Sequence, residues 1–181
     1  MTSLPLDNDR QDWQRRMDAL WADLDAHEGD DFVAAVGALV AERPEDDAVA
    51  AYWMGSAYDS TGYEAQAAPH YRRAFAAGLP AELRRPATIQ FASTLRNLGE
   101  SAESVALLTA EAAAATDELD DAIAGFLALS LVDAGREREA VSLALGALAP
   151  HLTRYNRSLS NYARALVEDR SDDSIENESP S

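Results

Sequence analysis

The side chains able to do chemistry are few and scattered. The chain has three histidines, His27, His70 and His151, and no cysteine. A metal site needs several imidazole, thiolate or carboxylate ligands converging at short spacing, and Asp23 with His27, one helical turn apart, is a single weak pair. Without cysteine there is no disulfide and no thiolate nucleophile. Ser93 has no histidine near it in sequence, and no glycine-rich phosphate loop or nucleophile elbow is present. The clusters DAHEGDD (25–31), PEDD (44–47) and DELDD (117–121) sit where carboxylates cap helices and complement their dipoles. Arg72, Arg73, Arg84, Arg85 and Arg96 are the one basic concentration. They read as surface charge balance, with docking of an acidic segment as the alternative. These patterns predict a protein that is not an enzyme and holds no metal or cofactor.

Charge narrows the partners. Thirty-two acidic residues against fifteen basic ones give a net charge of −17, which repels phosphate backbones and anionic membrane surfaces. Neither nucleic acid nor a membrane is an expected partner. No apolar run approaches the roughly 20 residues of a membrane span, and no cationic start with an apolar run follows Met1. A cytoplasmic protein is expected, in keeping with the lack of cysteine.

The elements that must position any site are helical. Alanine dominates the apolar content, and alanine favours helix. The fold class predicted is all-α. Gly29, Gly62, Gly99 and Gly135 recur at intervals of 33, 37 and 36 residues. Eight residues before each stands a large apolar side chain (Trp21, Met54, Phe91, Leu127), and seven before a small one (Ala22, Gly55, Ala92, Ala128). Large residues fill the space between two helices, small ones let backbones approach, and glycine reverses the chain at positive φ. Each unit is therefore a helix, a tight turn and an antiparallel helix, which must stack on its neighbours to bury both faces. Pro86 is expected to start or kink a helix, and Pro69 to lie near a helix start.

Residues 48–80 resemble a tetratricopeptide repeat: Gly55, Tyr58, Gly62, Ala67, Tyr71 and Ala74 fall on the family's signature positions, and Pro80 closes the unit. FASTLRNLG (91–99) also looks like a group of small, mostly uncharacterised bacterial tetratricopeptide proteins. The resemblance implies a right-handed α-α superhelix of about four helix pairs plus a C-terminal helix. The organisation expected is a flexible N-terminus at 1–9, a repeat domain at 10–169 and a disordered acidic tail at 170–181. The family also implies a concave groove that binds a protein or peptide segment, with no catalysis. One family variant clamps a terminal carboxylate with Lys and Asn; here Ser56 or Ser93 takes the asparagine's place and there is no lysine, so no clamp is expected.

A helix turns 100° per residue, so Ile89, Ser93, Arg96 and Asn97 share one flank, away from Phe91 and Leu95. The same offsets give Tyr52, Ser56 and Asp59 in the unit before and Leu129, Val132 and Asp133 in the unit after. The groove wall is thus expected to comprise Tyr52, Ser56, Asp59, Ile89, Ser93, Arg96, Asn97, Leu129 and Asp133, with Tyr52 and Tyr155 as aromatic anchors. The alternative is a self-assembling structural or regulatory homodimer. Its contact would be Trp13, Met17 and Leu20, which make the N-terminal helix unusually apolar for the end of an array.

Overall fold

Three of the recurring glycines do close helical hairpins. Gly62, Gly99 and Gly135 have φ of 82°, 81° and 72°. At each, the residue after the glycine donates its N–H to the carbonyl five residues back: Tyr63 to Tyr58, Glu100 to Leu95 and Arg136 to Leu131, all at 2.8 Å. That bond satisfies a carbonyl left over at the helix end, and it requires a left-handed residue at the turn. Gly29 departs from the pattern. It is not at positive φ; it opens a helix, and the preceding reversal is made by a 3₁₀ turn at Leu24–Ala26. A fourth left-handed glycine, Gly78 (φ 85°), lies between pairs, outside the 33–37-residue period.

The structure is a computed structural model describing residues 5–114 and 116–172. Among the described residues the elements are α1 (Pro5–Ala22), α2 (Gly29–Val40), α3 (Ala48–Ser60), α4 (Glu64–Ala76), α5 (Ala81–Asn97), α6 (Ser101–Ala114), α7 (Asp120–Asp133), α8 (Glu137–Leu148), a 3₁₀ turn at Ala149–His151 and α9 (Asn156–Asp172). The chain is all-α, as expected. Helix α1 begins within the stretch read as flexible, and most of the acidic tail, 173–181, lies outside the described residues. Pro69 and Pro86 both lie inside continuous helices, α4 and α5, so neither starts its helix.

The chain divides into two compact units, 1–87 and 88–181. In the first, α1, α2 and α3 build a core of Trp13, Met17, Phe32, Val36, Val49, Met54 and Ala57. The family's small position explains Gly55: a Cβ there would stand 3.0 Å from the fully buried Tyr71 ring, so only glycine lets α3 and α4 approach. Asp47 caps α3, accepting from Val49 N and Ala50 N at 2.9 and 3.0 Å, so PEDD does end in a capping residue. In the second unit, Ile89, Ala92, Val105, Leu108, Ile123, Leu127, Leu131 and Ala140 form the core. The buried Ser104 hydroxyl bonds Ala92 O at 2.7 Å and Ser130 Oγ at 2.8 Å, holding α6 to α5 and α7 where a larger residue would not fit.

Candidate functional site

The expected groove wall divides sharply by unit. In the first unit Tyr52 is 4% exposed and packs its ring 5.0 Å from Trp53 and 6.4 Å from Tyr71. Ser56 is 1% exposed beneath the Tyr71 hydroxyl, and Asp59, half-buried, accepts from that hydroxyl at 3.4 Å. Burial and then the Asp59 charge push the Tyr71 phenol above its ordinary pKa. These three positions are corrected from groove wall to interior and its edge. The reason is that α3 is buried nearly all round, leaving no polar flank free. Ile89 is corrected likewise: it belongs to the core of the second unit.

The expected dimer contact is corrected too. Trp13 is 3% exposed, and its indole N–H donates to Leu39 O at 2.7 Å. Met17 is fully buried, and Leu20 packs against the same cluster. Trp13, Met17 and Leu20 of α1 thus face their own core.

In the second unit the other expected wall residues lie half-buried or exposed on α5 and α7. Ser93 and Arg96 are half-buried and Asn97 is exposed on α5, while Leu129 (49% exposed) and Asp133 stand on α7. Arg96 joins the two helices, with Nη1 donating to Asp133 at 2.9 Å and Nη2 to Asn97 Oδ1 at 3.2 Å. Its Nε is buried without a hydrogen-bond partner.

Beside this polar flank lies an apolar surface that sequence reasoning did not assemble. On α8, Ala140 faces the core with α7, and the Ser142 hydroxyl donates to Ala163 O of α9 at 2.6 Å. At 100° per residue Val141 lies between those directions, and Leu148, seven residues on, lies with it. Both are nearly half exposed, 46% and 49%. On α7 the stripe Asp121, Gly125 and Val132 points to the same side, because His151, just before α9, bonds Asp121 at 2.8 Å. Val132 is 47% exposed, and Gly125 has open space where a Cβ would stand.

The flank of α9 follows from a cavity on the other side of α8. That cavity, about 340 Å³, is lined by Leu127, Leu131, Glu139, Leu143 and Val167. Tyr162 lies 140° from Val167 around α9, with the buried Ala163 between them, so it faces the Val141 side. Tyr162 and Tyr155 are 71% and 73% exposed. Leu129, Val132, Val141, Leu148, Tyr155 and Tyr162 thus line one open face of α7, α8 and α9, bordered by the Arg96–Asp133 pair. The periodic signal was available, since 141/148 and 155/162 are each seven apart. It was not enough, because the same spacing marks a buried stripe.

The remaining chemistry-bearing residues stay apart. His27 stands 3.8 Å from Asp23, and His70 is stacked on Tyr58, with burial and then Arg73 lowering its pKa. Arg16 pairs with Glu42 at 2.8 Å. In the basic concentration Arg85 is only 6% exposed, so it is not surface charge. The cavity's Arg136 is paired with Glu139 at 2.7 Å. Among the described residues no group of three or more His, Asp or Glu side chains is placed to hold a metal ion. None of the described helices is long and apolar enough to cross a membrane.

Comparison with known families agrees with this architecture. A family model described as tetratrico peptide repeat matches residues 48–166, from α3 into α9. No curated protein matches the chain, and no solved structure does. With the match covering most of the chain and the hairpins closing as that repeat requires, the chain belongs to the tetratricopeptide repeat family.

Proposed function

We propose that the chain is a non-enzymatic protein–protein interaction module that seats a protein or peptide segment on the α7–α8–α9 face of its second unit. The observation that carries this reading is the gathering of six exposed large apolar side chains on one face, beside the Arg96–Asp133 pair. Isolated exposed apolar residues are ordinary, but a contiguous patch with a polar rim marks a docking surface. Leu129 and Val132 supply apolar contact, the tyrosines supply rigid amphipathic anchors, and Arg96 offers donors to a partner's carbonyl or carboxylate. Membership of a repeat family whose stacked helices present extended surfaces supports the same reading.

The test is selection of peptides from a random library on the full chain, followed by binding to variants. Leu129→Asp, and Arg96→Ala combined with Asn97→Ala, should each weaken the selected peptides by about tenfold or more while leaving the helical circular dichroism unchanged. Peptides that bind both variants as tightly as the wild type would place docking elsewhere.

A further inference from the structure

We draw no further inference here: the strongest candidate, the apolar cavity walled by Leu127, Leu131, Leu143 and Val167 of α7, α8 and α9, has nothing in the structure to show what covers it.

Discussion

At the residue scale, single side chains fix the hairpins and their entry points. Asp47 holds the first turn of α3 with two backbone N–H groups and is bridged by Arg43 at 2.9 Å. Burial by itself raises its pKa; the Ala50 N–H and the Arg43 guanidinium outweigh that and hold the carboxyl below the usual range. A folded-state pKa below the unfolded one gives stability that is present above the unfolded value, near 4, and is lost as pH falls through the folded value. Asp47→Ala should therefore lower the unfolding free energy by about 1 kcal/mol at neutral pH. The deficit relative to wild type should close as pH drops below about 4, as read by urea titrations across pH. A deficit constant down to pH 2 would show that the cap's charge contributes nothing.

At the element scale, α9 separates the demands of folding from those of the proposed docking. Its first turn is entered through Tyr155 at positive φ, whose carbonyl accepts from Leu159 N at 2.9 Å. Asparagine tolerates that conformation better than tyrosine, and the exposed ring gains little in the isolated chain. Tyr155→Asn should leave chemical stability unchanged or raise it by up to about 1 kcal/mol, while weakening peptide capture. A clear loss of stability in urea melts would mean that the ring packs within its own chain. The hairpins were legible in the sequence because a turn glycine, a large residue eight before it and a small one seven before it are local demands of one helix pair. Gly29 shows where that legibility stops: the spacing was right, but the reversal there uses a 3₁₀ turn, and the glycine serves as a helix start beside Thr61.

At the scale of the whole molecule, two cores lie in two units, and α5 contributes to both, with Leu83 against the first and Ile89 and Ala92 in the second. Repeat arrays gain stability from nearest-neighbour contacts, so damage in one unit should stay largely local. Met17→Ala removes a fully buried side chain, a change that typically costs about 2–5 kcal/mol. Native-state hydrogen exchange should then show amide protection falling in α1–α4 well before α7 and α8. Equal losses in both units would mean that the molecule opens as one cooperative block.

The sequence by itself determined the helices, the hairpin turns, the repeat period, the family and the acidic charge, because each depends on residues within a turn or a hairpin of one another. It placed Ser56 and Ser93 at equivalent offsets and could not tell them apart. The tertiary structure buried one at 1% exposure and left the other half-buried, and it closed over Tyr52 while leaving Tyr162 open. Which flank of a helix meets water is settled by the helices packed around it. Those neighbours come from elsewhere in the chain, beyond the reach of any local pattern.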